Sequence, residues 1–512
     1  MSLLNLARHQ KLLLVAAITT ALMSGCNSDD DDTQPTPPAA QRPKNVILMI
    51  SDGASYGTWE MAAHWQGAEN ANDLAIYSDM QTRLGVTTYP LNTSNTPTNE
   101  DTSTLGYDPA AAWNTTVGEG VEKDGFMTYI EGYKYLKNNY TDSAAAGTAL
   151  ASGQKTYNNA INYDNHGKPM GYITQLAKAQ GKATGVVSSV QMAHATPATF
   201  SAQNISRRNM HEIARDQLTN GNVDLLMGTG HPDYDGSGTN LNALSAEDCA
   251  ANWACGNRFD SIGETEWLAL KAGLLTPTGA SKPWTLIEDK GAFELLASGN
   301  LSVDGPLVGI PRVRWTLQQT RSGDVVGADA NQPSGKKMIA TVPDLATMTQ
   351  GALNYLGKDE DGLFLMVEGG AVDWAAHGND TGTLIEEQLD FDRAVAVVKD
   401  WVEANSSWEE TLLIVTTDHG NALPLAPTSD VTAFAPVVSN GSELLPEVRY
   451  WSGQHTNEVV RLWAIGAGSD KFDDYIRGTD SGFVTFTGHN SDGRYIDLTD
   501  VFAVMRDNIQ PE

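Results

Sequence analysis

The chain is 512 residues long, with 63 acidic against 33 basic side chains, a formal net charge of −30, and 41% hydrophobic residues. That apolar share is enough for a substantial core and excludes wholesale disorder. The charge excludes a nucleic-acid-binding face, because no basic stretch could displace counterions from a phosphate backbone, and it excludes a polybasic membrane patch. An anionic substrate would need a local positive centre, supplied by metal ions or a buried Arg.

Residues 1–25 read as an export signal. Arg8 and Lys11 are followed by an apolar run from Leu12 to Met23, then by Ser24, Gly25 and Cys26. The run is short for a membrane span, which takes ~20 residues. The small-small-Cys ending resembles a bacterial lipobox, with Cys26 as the lipidated first residue and Asn27 behind it favouring the outer membrane. Plain export with an incidental Cys26 is the alternative. Residues 26–44 carry Asp29 to Asp32 and then Pro35, Pro37 and Pro38, an extended acidic tether. The expected location is the periplasm or the outer membrane of a Gram-negative bacterium, with one domain over residues 45–512. Cys249 and Cys255 remain as a pair with five residues between them. In an oxidising compartment they are expected to close a small disulfide loop, with two free thiols as the alternative.

The body reads as α/β: a central, largely parallel sheet flanked by helices on both faces, with surface insertions. Apolar runs of strand length lie at residues 44–50, 183–188, 223–227, 363–367, 412–417 and 461–465. They are continuous rather than alternating, as befits strands buried on both faces. Helical periodicity marks residues 172–180, 345–356 and 383–399. Two stretches, 87–125 and 241–335, are punctuated by Gly and Pro and are expected to be surface insertions.

Ligands of such sheets bind beyond the carboxyl ends of the strands. The first run ends in Ser51-Asp52-Gly53, and the fourth continues through Glu368-Gly369-Gly370 to Asp373-Trp374-Ala375-Ala376-His377. The fifth ends in Asp418-His419-Gly420, and His455 stands near the C-terminus. Asp373 and His377 are four apart, so one helical turn can present both to one ion. Mixed Asp and His sets suit Zn²⁺, and all-oxygen sets suit Mg²⁺. Singly each residue is ordinary: an Asp-Gly after a strand is more often a turn, and a lone His more often core. The weight lies in the set. Ser143, in Thr141-Asp142-Ser143-Ala144-Ala145, opens a helix. Capping is the bland reading of Asp142 and Ser143. The functional reading makes Ser143 a nucleophile where a helix N-terminus favours an anion. No Gly-x-Ser-x-Gly surrounds it, which disfavours a serine-hydrolase elbow.

Asp52-Gly53, Thr141-Asp142-Ser143-Ala144-Ala145, His194-Ala195-Thr196-Pro197-Ala198, Ser206-Arg207, Glu368-Gly369-Gly370, Asp373 with His377, Thr417-Asp418-His419-Gly420 and His455-Thr456 follow in one order. That order resembles the alkaline phosphatase family over about residues 44–467. The animal and marine bacterial branches look most similar, since His194 stands where enteric members carry Asp and Trp374 where they carry Lys. The resemblance implies a phosphate monoester hydrolase that forms a phosphoserine at Ser143 and works at alkaline pH. It implies two zinc ions, one on Asp373, His377 and His455, the other on Asp52, Asp418 and His419. It implies one magnesium on Asp52, Thr196 and Glu368. Arg207 would grip two phosphate oxygens, with Arg208 a rival by position, and His194 and Trp374 would lie near the substrate. A homodimer is implied as well. A phosphodiesterase or phosphonate hydrolase of the same superfamily is the first alternative. A non-enzymatic metal-binding surface lipoprotein is the second, and it would leave Ser143 with Arg207 unexplained.

Overall fold

A computed structural model of the chain describes residues 43–322, 332–488 and 490–510; the export signal, Cys26 and the first part of the tether lie outside the described residues. Among those residues the central sheet has eleven strands. In chain order they are β1 (Asn45–Ser51), β2 (Thr82–Thr87), β3 (Ala183–Gln191), β4 (Leu225–Thr229), β5 (Thr285–Ile287), β6 (Leu307–Gly309), β7 (Leu363–Gly369), β8 (Thr411–Thr416), β9 (Val460–Gly466), β10 (Gly478–Thr479) and β11 (Arg494–Asp497). Their spatial order is β10-β11-β2-β9-β8-β1-β7-β3-β4-β6-β5. From β8 through to β5 every neighbouring pair is parallel. β9, read from the run at 461–465, is antiparallel to both β8 and β2.

The helices used below are α1 (Tyr56–Trp65), α2 (Ser143–Ser152), α3 (Ile173–Ala179), α4 (Ala195–Thr199), α5 (Leu345–Leu356), α6 (Ala371–His377), α7 (Thr381–Asn405) and α8 (Leu498–Ile509). β1 feeds two cores by alternation. Val46, Leu48 and Ile50 pack with Leu150 of α2, Ile173 of α3, Ala198 of α4 and Val504 of α8. Ile47 and Met49 pack with Trp59 of α1, Met348 of α5, Val372 of α6 and Phe391 of α7. Both faces are therefore dry, which is why the run shows no polar alternation. α7 extends past both ends of the predicted 383–399, and its start is set by Asp380, which caps it by accepting from Thr383 N–H.

Parallel registry brings the strand ends to one edge. Ser51 pairs with Gly369, Ile50 with Thr416, and Ser188 with Glu368. The 87–125 stretch holds a short helix (Pro109–Ala112) and most of a hairpin that pairs Val117–Lys123 with Phe126–Ile130. The 241–335 stretch does more than decorate the surface, since it adds β5 and β6 to the sheet edge. Three residues each are too few to register as apolar runs. Within it Cys249 and Cys255 form a disulfide. The buried Arg314 holds that loop, donating to the carbonyls of Ala254 and Asn257 and pairing with Asp260 at 2.8 Å. No helix among the described residues is long and apolar enough to cross a membrane.

Candidate active site

The carboxyl edge of the sheet gathers four buried carboxylates. Asp52 follows β1, Glu368 closes β7, Asp418 follows β8, and Asp373 sits in the first turn of α6. The turn after β1 needs Gly53: its φ is +66°, and a Cβ there would stand 2.6 Å from Asp373 Oδ1. Gly53 N–H donates to Asp418 Oδ1 at 3.1 Å and Ala54 N–H to Thr417 Oγ1 at 3.0 Å, so the β1 and β8 loops brace each other.

Three imidazoles face these acids. His377 Nδ1 lies 2.8 Å from Gly453 O, His455 Nδ1 2.8 Å from Thr141 O, and His419 Nδ1 3.3 Å from Gly420 O. Nδ1 therefore carries a proton in each, and each Nε2 turns into the site. Asp373 lies 3.4 Å from both His377 Nε2 and His455 Nε2. Against the desolvation of burial, those imidazoles hold its carboxyl well below the usual range. His377, also desolvated, is pushed up to about 9 by Asp373.

The other acids are less comfortable. Burial raises Glu368 to about 7 and Asp418 to about 6, and it raises Asp52 well above the ordinary carboxylate value, with the neighbouring acids adding to the shift. Burial drives His419 well below its ordinary value, so this imidazole is neutral. Among the described residues Asp52 Oδ1, Glu368 Oε1 and Asp418 Oδ2 have no hydrogen-bond partner. Asp418 Oδ2 stands 3.1 Å from His419 Nε2, and the Nε2 atoms of His377 and His455 are 3.2 Å apart. The first contact sets lone pair against lone pair, the second crowds two imidazoles, and three carboxylate oxygens are left unsatisfied in the interior. The donor set fits cations. Three groups lie within ligand spacing: Asp373 with His419 and His455; Asp52 with Asp418 and His419; and Asp52 with His194 and Glu368. Thr196, in α4, donates to Asp52 Oδ2 at 3.4 Å, beside the third group.

Ser143 is the first residue of α2, capped by Asp142, whose Oδ1 accepts from Ala145 N–H at 2.9 Å. In the Nδ1-protonated form His419 Nε2 accepts from Ser143 Oγ at 3.2 Å. Asp142 Oδ2 also holds Arg207 Nη1 at 3.0 Å, and Arg207 N–H donates to Asn159 O at 2.8 Å. Arg207 lines a cavity of about 460 Å³ together with Ser143, His194, Asp373, Trp374, His377 and His455. Arg208 is exposed and lies outside that lining. His194 Nε2 is 3.3 Å from Arg207 Nη2; burial and that cation push its pKa down to about 3. Its ring tilts against Trp374 at 5.7 Å.

The sequence model described as Alkaline phosphatase matches residues 43–460. The chain belongs to the alkaline phosphatase family. It is 32% identical over 311 residues to Alkaline phosphatase 3 of Bacillus subtilis (strain 168), covering 58% of this chain and 54% of that protein. It is 29% identical over 342 residues to Alkaline phosphatase of Escherichia coli (strain K12), covering 64% and 69%. The matches thus span only about half of the Bacillus relatives' length, 54% and 49% for the two of them. The fold is similar to alkaline phosphatase from the Antarctic bacterium TAB5, with a TM-score of 0.55 at 21% identity over 92% of this chain and 98% of that one. It is also similar to Thermus thermophilus alkaline phosphatase, with a TM-score of 0.56 at 19% identity over 92% of each chain.

All twelve residues singled out in the sequence meet at this edge of the alkaline phosphatase fold. Sequence reasoning missed others. Asn421 Nδ2 donates to Asp373 Oδ1 at 2.7 Å, and Ser188 donates to Glu368 Oε2. Gln319 and Thr320 also line the cavity. Asn421 is two residues beyond His419, so a search of the whole strand-end loop would have raised it. Nothing local to Gln319 signals its place.

Proposed function

We propose that this chain is a metal-dependent phosphate monoester hydrolase working through a phosphoserine at Ser143. One observation carries the reading. Ser143 Oγ stands at a helix N-terminus, 3.2 Å from an imidazole nitrogen, in one cavity with Arg207 and the acid–imidazole groups. We assign Asp373, His377 and His455 to one zinc, Asp52, Asp418 and His419 to a second, and Asp52, Thr196 and Glu368 to a magnesium. His194, within ligand spacing of Asp52 and Glu368, is a further candidate for that third position. A variant of the TAB5 enzyme has been solved with Mg bound, which supports a magnesium in this fold.

Bound cations supply Lewis acidity, offsetting the phosphate's charge and easing ionisation of oxygen nucleophiles. The chain's own groups do the rest. Arg207, held by Asp142, offers its planar fork to two phosphate oxygens. The N-terminal end of α2 and the helix dipole favour the dianion on a protein of charge −30. Ser143 gives up its hydroxyl proton and attacks phosphorus in line: the serine O–P bond forms as the ester P–O bond breaks, and the departing alcohol oxygen takes up one proton in its place. Water then cleaves the phosphoserine, releasing inorganic phosphate and restoring Ser143.

Ser143→Ala should abolish turnover of an aryl phosphate monoester and leave metal content by elemental analysis unchanged. Undiminished turnover would overturn the nucleophile. If the wild-type protein cleaves an aryl diester faster than the monoester, the phosphodiesterase reading takes its place. Export, a lipid anchor at Cys26 and a homodimer complete the proposal, supported by the leader-like sequence and the family. Release from the membrane fraction by Cys26→Ser tests the anchor, and light scattering tests the dimer.

A further inference from the structure

β6 is parallel to β4, so its carboxyl end opens on the same edge as the catalytic loops. The chain then doubles back across that edge. Val190 and Thr316 form an antiparallel bridge, Leu317 N–H donates to Ser189 O at 2.9 Å, and Thr229 Oγ1 donates to Trp315 O at 2.7 Å. A tight turn follows, closed by Arg321 N–H on Gln318 O at 3.1 Å.

Every neighbour of Gln319 in that turn is tied down. Gln318 accepts from Ile339 N–H at 2.9 Å and donates to Ile339 O at 3.3 Å. Thr320 N–H donates to Thr316 Oγ1 at 2.9 Å. Arg321, buried, pairs with Glu386 at 2.6 Å and donates to Ser334 Oγ at 2.9 Å. Gln319 differs: among the described residues its side chain has no hydrogen-bond partner, and its Oε1 is buried. A rigid turn thus carries Gln319 into the lining of the cavity that holds Ser143 and Arg207. Buried polar atoms are rarely left unpaired without a reason.

We propose that Gln319 is a specificity-determining residue that hydrogen-bonds the organic half of the ester, favouring monophosphates of neutral polyhydroxy alcohols such as sugars over plain aryl phosphates. The inference rests on the phosphatase reading above. The phosphate already has Arg207 and the start of α2, and a cavity of about 460 Å³ leaves room for more than a phosphate. A side-chain amide both donates and accepts, as a hydroxyl does, so the two are matched in chemistry. It carries no charge, and Thr320 and Trp374, which also line the cavity, carry none. The wall therefore suits a neutral hydroxylated group rather than a second phosphate.

The test compares wild type, Gln319→Ala and Gln319→Leu on glucose 6-phosphate and phenyl phosphate. Inhibition by inorganic phosphate and metal content are followed alongside. Both variants should lose about three- to tenfold in kcat/KM on glucose 6-phosphate, chiefly through KM, as expected for one neutral hydrogen bond. Phenyl phosphate turnover, phosphate inhibition and metal content should stay within about twofold, a split that a merely structural role would not produce. Equal losses on both esters, or no loss on either, overturn the inference while the phosphatase reading stands. A Leu variant that keeps the wild-type rate on glucose 6-phosphate also overturns it, since bulk alone would then suffice. If wild type cleaves neither ester, both readings fall together.

Discussion

Stripping the metals should expose a pH dependence whose direction the buried acids dictate. In the metal-free fold Glu368 is raised by burial from 4.5 to about 7, and Asp418 from 3.8 to about 6. Each binds its proton more tightly folded than unfolded. The stability each contributes is full below its unfolded pKa and is lost as the pH climbs through the folded one. At about 1.36 kcal/mol per unit, each loss is about 3 kcal/mol. His377, raised to about 9 beside Asp373, acts in the same direction between pH 6.5 and 9, and being a third exposed it counts only as a direction. Asp373, held low, acts oppositely below pH 4, and His194 and His419, held low by burial, act oppositely as the pH climbs toward 6.5. With the acids and His377 outweighing the two lowered imidazoles, the chelated protein should show a net loss of stability between pH 5 and 9, set against a domain's ~5–15 kcal/mol. Metal binding strengthens as ligands shed protons, so the loaded form should hold steady or gain. Urea unfolding at pH 5, 7 and 9, followed by fluorescence of the 12 tryptophans, reads both forms. The chelated midpoint should fall steeply and the gap to the Zn- and Mg-reloaded protein should widen. Parallel curves, or a chelated protein equally stable at pH 5 and pH 9, would refute the reasoning.

Gly53→Ala should cost about 1–2 kcal/mol for a left-handed backbone and force Asp373 aside. Metal content and turnover should fall together, and a variant with full content and rate would show that the turn can yield. Asp392, buried on α7, is raised to about 6 by burial despite hydrogen bonds from Tyr77, Gln388 and Gln66. Asp392→Asn should raise stability at pH 8 by up to about 3 kcal/mol of relieved charge, read as a higher melting temperature, and change it little at pH 4. Equal shifts at both pH values would contradict a charge penalty.

The site was legible wherever its residues are tied to long buried strands. Asp52, Glu368 and Asp418 each end a run whose two-sided burial makes it continuous in sequence. Parallel registry then forces those ends to one edge, so three distant acids become neighbours from pattern alone. His377 follows from Asp373 by helical spacing. Arg207 was harder, because in the sequence only its spacing of five residues from Ala202, matched to the family resemblance, favours it over Arg208. The preference lies in tertiary contacts to Asn159 O and Asp142. Gln319 was out of reach for a different reason. Its position depends on a three-residue strand and on a bridge between Val190 and Thr316, segments far apart in the chain. A short strand at a sheet edge needs little hydrophobicity of its own, because β4 and β5 supply its partners. Chemistry that must act on every phosphate monoester sits on the strands whose burial marks them in the sequence. A group that selects the alcohol can sit on an insertion, where a change of loop costs the core nothing. The parts hardest to read from sequence are therefore the parts through which relatives sharing one metal frame can come to differ in substrate.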